Sequence, residues 1–364
     1  MKKFIKAVAA VMCVVLTAVS ISACSSPLDE EVQPVAKDDF RVTAYLVGDR
    51  FLDPAEIDYS HFSQVTDFIF MSMADFDVNG NIIKAEEFDT AFNNIKPYLP
   101  EDANFYVNIL GPKSTLETDD WNEMMEDQGK LHNQAFESGN LQSEIKSLLD
   151  QYGFDGVYFD YEYPISSSNW KVFNNFIVSL DEYLGDEYKI GMALSDWDLN
   201  QSDEAMAATD FIEIMSYDNW DDNGNHSTYE SAQKSVEAVL KKGYDRSKLS
   251  LGLPFYARPT TQDAYWYDYK AYCSMIDENG LYTDTEDTGL TFSFNTYDLI
   301  KQKTEFAVDC GLGGVMVWHY SCDAPADNPK SLFNAIEDGI DSAYSSSEQN
   351  TAPVSYTHLT LPTT

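Results

Sequence analysis

An α/β fold with a parallel sheet is what this sequence predicts, and three observations carry the prediction. Eight apolar runs of strand length alternate with stretches whose apolar residues recur at helical spacing. That alternation implies parallel strands joined by helical crossovers. No glycine-rich phosphate loop follows the first strand, which disfavours an open doubly wound sheet. Closure into a (β/α)8 TIM barrel is the usual outcome for eight such units. The chain of 364 residues, 44% hydrophobic, is long enough for one large barrel.

Taken in order, the chain begins with a targeting segment. Lys2, Lys3 and Lys6 precede an apolar stretch from Ala7 to about Ala23, too short and wrongly flanked for a stable membrane span. The stretch ends in Ile21-Ser22-Ala23-Cys24, which resembles a bacterial lipobox. That resemblance implies a signal peptide over residues 1–23, diacylation of Cys24, and a lipid-anchored protein at the bacterial cell surface or otherwise outside the cytoplasm. Two acyl chains anchor stably where one does not. Residues 24–39 are polar and acidic with two prolines and are expected to form a flexible tether.

The barrel is expected over residues 40–340. The strands read as Phe40–Leu46, Val65–Met73, Ala103–Leu110, Gly153–Tyr161, Lys189–Leu194, Asp210–Tyr217, Lys248–Pro254 and Gly314–Trp318. Helical stretches between and after them include Glu86–Leu99, Leu141–Tyr152, Asn169–Leu184, Ser227–Lys242, Tyr297–Cys310 and Ser331–Ile340. Between strands seven and eight, Pro259–Phe292 reads as a short insertion. Its aromatic run from Tyr265 to Tyr272 (YWYDYKAY) suits either stacking on sugar rings or a local core. Residues 341–353 read as a linker. Residues 354–364 share no pattern with what precedes them and resemble a translated sequencing adapter, with the natural C-terminus beyond about Pro353 expected to be missing.

Charge narrows the partners. The formal net charge is −38. Nucleic acid is excluded as a partner, because phosphate binding needs clustered Lys and Arg; a neutral glycan is compatible. A monomer is expected, in contact with a membrane only through the N-terminal lipid. Of the cysteines beyond Cys24, Cys310 and Cys322 sit at opposite ends of one predicted strand and cannot pair; Cys273 with Cys322 is conceivable. No His/Cys cluster has metal-ligand spacing, so no cofactor or metal is expected.

The chemistry concentrates in the run from Asp155 to Pro164 (DGVYFDYEYP). Strand alternation places Tyr158, Asp160 and Glu162 on one face and Val157, Phe159 and Tyr161 on the other. Two carboxyls side by side in an apolar strand oppose each other's ionisation, which marks a candidate acid/base pair.

This run resembles the D-G-x-D-x-D-x-E signature of glycoside hydrolase family 18, the chitinases and related endo-β-N-acetylglucosaminidases. Further motifs follow in the family's order. Met215 to Asp218 (MSYD) is similar to its M-x-Y-D, Leu251 to Arg258 (LGLPFYAR) to its seventh strand, and Gly313 to Trp318 (GGVMVW) to its eighth. Phe105 to Gly111 (FYVNILG) matches its third strand loosely. The resemblance covers about residues 40–340.

What it implies is hydrolysis of β-1,4-linked N-acetylglucosamine with retention and without a protein nucleophile, the substrate-assisted exception to the two-carboxylate rule. Glu162 is then the general acid, Asp160 the group holding the substrate acetamide, and Tyr217 and Asp218 its hydrogen-bonding partners at the reacting sugar. Trp318 would floor the subsite, with Tyr163, Tyr45 and Tyr158 lining it. The family usually has Asp where this chain has Tyr158; a hydrogen bond from Tyr158 to Asp160 is expected in its place. His319 is expected to be structural. An endo-β-N-acetylglucosaminidase acting on N-glycan cores and a non-catalytic glycan-binding barrel are the alternatives.

Overall fold

The computed structural model describes residues 26–162 and 166–351. Cys24, the signal segment before it, the adapter-like tail and Tyr163 lie outside the described residues.

Eight parallel strands close on themselves in chain order, the last pairing with the first. They are β1 (Arg41–Val47), β2 (Asp67–Met71), β3 (Asn104–Ile109), β4 (Gly156–Phe159), β5 (Lys189–Leu194), β6 (Phe211–Ile214), β7 (Leu249–Pro254) and β8 (Gly314–Trp318). Closure is the β1–β8 register Arg41↔Gly314 to Ala44↔Val317. Around the barrel run α1 (Phe88–Ile95), α2 (Trp121–Glu137), α3 (Leu141–Tyr152), α4 (Ser167–Leu184), α5 (Asp203–Ala208), α6 (Tyr229–Lys242), α7 (Tyr297–Asp309) and α8 (Leu332–Thr351). The TIM barrel expected from the sequence is thus the fold. β1 and β2 are joined by 3-10 turns rather than an α-helix.

Strand alternation divides the interior in two. Tyr45, Ile69, Met71, Tyr106, Tyr158, Ala193, Phe211 and Met316 pack together in one cluster, the barrel lumen. Val157, Phe159 and Tyr161 belong instead to the larger core between sheet and helices. The period-two reading of the acid run therefore holds through Tyr161.

Several boundaries differ from the sequence reading. β4 stops at Phe159 and β6 at Ile214, where the expected strands ran on to Tyr161 and Tyr217. Ladder pairing ends there, at Phe159↔Met192 and Leu194↔Ile214, and the chain turns away carrying its polar side chains. α2 went unpredicted because its buried positions include Gly129 and His132, which break the apolar periodicity. α3 matches residue for residue and ends where Gly153 takes a left-handed conformation, φ 66°.

Both expected flexible segments are corrected. Residues 26–39 lie against the barrel: Arg246 donates to the Pro27 carbonyl at 2.6 Å and pairs with Glu30 at 3.0 Å. α8 runs through most of the expected linker, and the Tyr344 hydroxyl donates to the Val35 carbonyl at 2.9 Å. In each case a tertiary partner satisfies a segment that composition marks as polar. The insertion after β7 forms a small sheet from Tyr256–Pro259, Tyr267–Asp268, Leu281–Thr283 and Thr291–Ser293. Cys273, Cys310 and Cys322 are buried free thiols. Cys322 lies against Asp268 and His319, while Cys273 lies near Asn328, so the conceivable pairing of the two is absent. Among the described residues no helix is long and apolar enough to cross a membrane.

Candidate active site

The acids sit where the strand ends put them. Asp160 and Glu162 follow β4 directly, and Tyr217 and Asp218 follow β6, all on the C-terminal face of the barrel. That face carries the site in barrels of this kind. Tyr45 from β1, Trp318 from β8, and Tyr256 and Arg258 from the strand after β7 complete a cavity of about 320 Å³ with Met215 and Trp266. A second lobe of about 410 Å³ shares Glu162, Met215, Tyr217 and Asp218 and is walled by Trp197, Trp220 and Lys234. Glu162 therefore stands between two lobes of one groove. A cavity of about 480 Å³ at the opposite end of the barrel, beside Arg41, Asp67 and Asn104, contains none of the acid pair.

Burial, and then the neighbouring Glu162, push the Asp160 carboxyl up to about 8. Burial, and then the Asp218 charge, raise Glu162 as well. Each acid disfavours ionisation of its neighbour, so the pair retains a proton near neutrality. Asp218 behaves oppositely. Burial pushes it up, but hydrogen bonds from Arg258 and Tyr256 outweigh this and hold it well below the usual carboxylate range. The Arg258 guanidinium grips both its oxygens, each at 2.7 Å, and the Tyr256 hydroxyl donates at 2.7 Å. The bidentate geometry is the strong form of this ion pair. A coupled pair that shares a proton thus faces an ionised carboxylate, the kind of separation that distinguishes acid/base roles.

Burial raises the Tyr217 phenol far above its ordinary value, so it remains a hydrogen-bond donor. Its ring lies over Gly252 of β7, where an added Cβ would come within 3.0 Å of the ring and 2.3 Å of the Ile214 carbonyl. Only glycine leaves that space. The Trp318 and Tyr45 rings meet edge to face at 5.1 Å.

Tyr158 is corrected on two counts. Its side chain is completely buried beneath Tyr45 and lines neither lobe. Its hydroxyl is hydrogen-bonded to that of Tyr45 rather than to Asp160. Alternation aimed it at the lumen as expected, but β1 lies close enough across the barrel to take the bond. His319 is buried against Trp266 and Cys322, and burial lowers its proton affinity to about 3. The insertion's aromatics divide between a local core and the groove. Tyr267 stacks on Tyr272 and Phe292 in a local core, whereas Trp266 reaches the groove and Tyr265 is 54% exposed.

Sequence reasoning gave no role to His226, and it named Tyr256 and Arg258 only within the seventh-strand motif, without a place in the site. Arg258 carried a signal: it is a rare cation in an acidic chain, two residues beyond a tyrosine and so on the same strand face. Among the described residues no three His, Cys, Asp or Glu side chains are grouped to hold a metal.

Glu213 lies deeper in the lumen, two residues before Met215. Neither carboxylate oxygen has a hydrogen-bond partner. Burial pushes its proton affinity up to about 7, opposed only in part by the Arg41 charge. The folded state therefore holds a proton that the unfolded state releases near 4.5. Stability from this group is intact below about 4.5 and falls as pH rises through 7. Glu213→Gln removes that penalty. Its stability relative to wild type is expected to rise by about 3 kcal/mol between pH 4.5 and pH 8, read by urea unfolding at both pH values. A difference that does not change with pH rejects the buried neutral acid.

A closed parallel barrel with a coupled acid pair above its strand ends, in an aromatic-lined groove, is the architecture of the glycosidase class. The chain belongs to Glycosyl hydrolases family 18, whose sequence profile matches residues 41–323. It is 24% identical over 247 residues to endochitinase 1 of Metarhizium robertsii, covering 53% of this chain and 57% of that protein. It is 24% identical over 289 residues to probable chitinase 2 of Drosophila melanogaster, covering 62% and 59%. The matches thus span less than two thirds of these relatives' length. Among solved structures, a GH18 chitinase of Flavobacterium johnsoniae superposes with a TM-score of 0.66 at 23% identity, over 83% of this chain and 94% of that one. The Ostrinia furnacalis group II chitinase catalytic domain 2 gives 0.66 at 16%, over 84% and 97%. At these identities the structural likeness establishes the fold.

Proposed function

We propose that this protein hydrolyses β-1,4-linked N-acetylglucosamine polymers or oligomers by a retaining, substrate-assisted mechanism. The observation that carries the reading is the placement of Glu162, its proton affinity raised by burial and the Asp218 charge, between two lobes of one groove, with Trp318 in one of them. A chain crossing from lobe to lobe places its glycosidic oxygen beside Glu162, the position a general acid needs.

In this mechanism Glu162 gives its proton to the glycosidic oxygen as the C–O bond breaks. The carbonyl oxygen of the sugar's own 2-acetamido group bonds to the anomeric carbon, forming an oxazolinium ion. The attacking group is already tethered, so little entropy is lost at the barrier. Asp160 holds the acetamide N–H and offsets the developing positive charge. The Tyr217 hydroxyl donates to the acetamide oxygen, and ionised Asp218 supports the reacting ring over Trp318. Glu162, now ionised, takes a proton from water, whose oxygen opens the oxazolinium with net retention.

The test is product analysis by mass after incubation with chitotetraose and, separately, with a high-mannose glycopeptide. Cleavage of chitotetraose is expected, as is competitive inhibition by a thiazoline analogue of the cyclic intermediate. Cleavage of the glycopeptide alone moves the assignment to an endo-β-N-acetylglucosaminidase. Indifference to the thiazoline rejects substrate assistance. The buried tyrosine pair Tyr158–Tyr45, where the family usually has a carboxylate at 158, favours one second reading, a barrel that binds glycans without cleaving them. Binding of chitotetraose with no product supports that reading. We also propose export and anchoring through lipidated Cys24 on the lipobox-like sequence, tested by membrane extraction of a Cys24→Ala variant.

A further inference from the structure

We propose that Lys303 is a positioning residue: its buried ammonium locks the loop after β6 and so holds Asp218 in its place at the groove. The inference rests on the role given to Asp218 above.

Lys303 lies on the inner face of α7 between Ile300 and Ala307, and its side chain is fully buried. A charge in such a place must be paired or fully hydrogen-bonded. Burial lowers its proton affinity to about 7, but its three partners, none a carboxylate, are all acceptors and take all three N–H groups of the charged form. Nζ donates to the Ser227 carbonyl, to the Ser227 hydroxyl at 3.0 Å and to the Asn295 side-chain oxygen at 2.6 Å. Each partner is tied onward toward the site. The Asn295 amide donates to the His226 carbonyl at 3.1 Å. The Ser227 hydroxyl donates to the Ser216 carbonyl at 2.8 Å, and the Ser227 amide to the Asn219 carbonyl at 2.9 Å. His226, buried between them, accepts the Asp218 amide on Nε2 at 3.0 Å.

The loop bears left-handed non-glycine residues at both ends, Asp218 with φ 55° and Ser227 with φ 49°. Such conformations persist only where the surroundings over-determine them. At one end Arg258 and Tyr256 grip the Asp218 side chain. At the other, the ammonium fixes Ser227. A Trp220–His226 bridge closes the loop between them. Lys303 thus touches no part of the groove, yet its bonds converge on the backbone that presents Asp218.

The test is a double-mutant cycle on chitotetraose hydrolysis, at a temperature where every variant is folded by circular dichroism. Lys303→Met keeps the length of the side chain and removes the donors. It is expected to lower kcat roughly 100-fold, the effect of misplacing a group at the reacting ring, with KM changed less than about threefold. Combined with Asp218→Asn, it is expected to cost no more than about threefold beyond Asp218→Asn alone, because both changes disable one device. A purely structural lysine lowers the melting temperature and leaves the two kcat losses to multiply. Multiplying losses, or a wild-type kcat in Lys303→Met, overturn the proposal. Where Lys303→Met does not fold, Asn295→Leu, which cuts one link and leaves the ammonium with Ser227, is expected to show the same non-additivity at smaller size; multiplying losses there overturn it equally. A wild-type kcat in Asp218→Asn overturns the role of Asp218 and the Lys303 proposal with it, whereas a damaged Asp218→Asn with multiplying losses overturns only the latter.

Discussion

Glu162→Gln is expected to lower kcat by two to four orders of magnitude, the usual worth of a positioned general acid, with chitotetraose affinity within a few-fold of wild type. The side chain keeps its size and still accepts hydrogen bonds, so the groove keeps its shape. What is lost is the ionisable carboxyl whose proton affinity burial and the Asp218 charge raise. Initial rates give the turnover. The quenching of tryptophan fluorescence gives the binding, since Trp197, Trp220, Trp266 and Trp318 all line the two lobes. Turnover within tenfold of wild type removes Glu162 from the mechanism.

Asp160→Asn is expected to cost about 10²- to 10³-fold in kcat, as for loss of one preorganised electrostatic partner of the transition state. The larger information lies in the pH profile. Asp160 and Glu162 retain their proton jointly. Replacing one carboxyl by a neutral amide ends the like-charge repulsion within the coupled pair, so Glu162 ionises against one neighbouring carboxylate, Asp218, rather than two. A general acid with a lower proton affinity loses its proton sooner as pH rises. The alkaline limb of kcat/KM is therefore expected to move to lower pH. An alkaline limb that stays in place shows that the two acids titrate independently, and one that moves upward rejects like-charge repulsion between them.

These two residues were legible in the chain because strand alternation is a strictly local rule. Position 162 follows from 160 and 158 without knowledge of any neighbour. The same rule sent Tyr158 to the lumen, but it carries no information about which group waits there. The Tyr45 hydroxyl, from a strand more than a hundred residues earlier, claims the bond expected for Asp160. Arg258 was overlooked for a similar reason. Its partner Asp218 lies 40 residues earlier in the chain, and only barrel closure makes them neighbours. The tether and the linker were misjudged because composition reports what a segment would do alone. Arg246 and Val35, which hold them, belong to other parts of the chain.

By itself the sequence determined the eight-fold alternation, the faces of the acid run and the motif order that carries the family resemblance. All of these are set by periods of two or 3.6 residues and by short spacings along the chain. The tertiary structure alone decided the protonation of the acids, the ionisation of Asp218 and the anchoring of its loop through Lys303. Those depend on burial and on charges brought close from distant strands, and neither is a property of neighbouring residues.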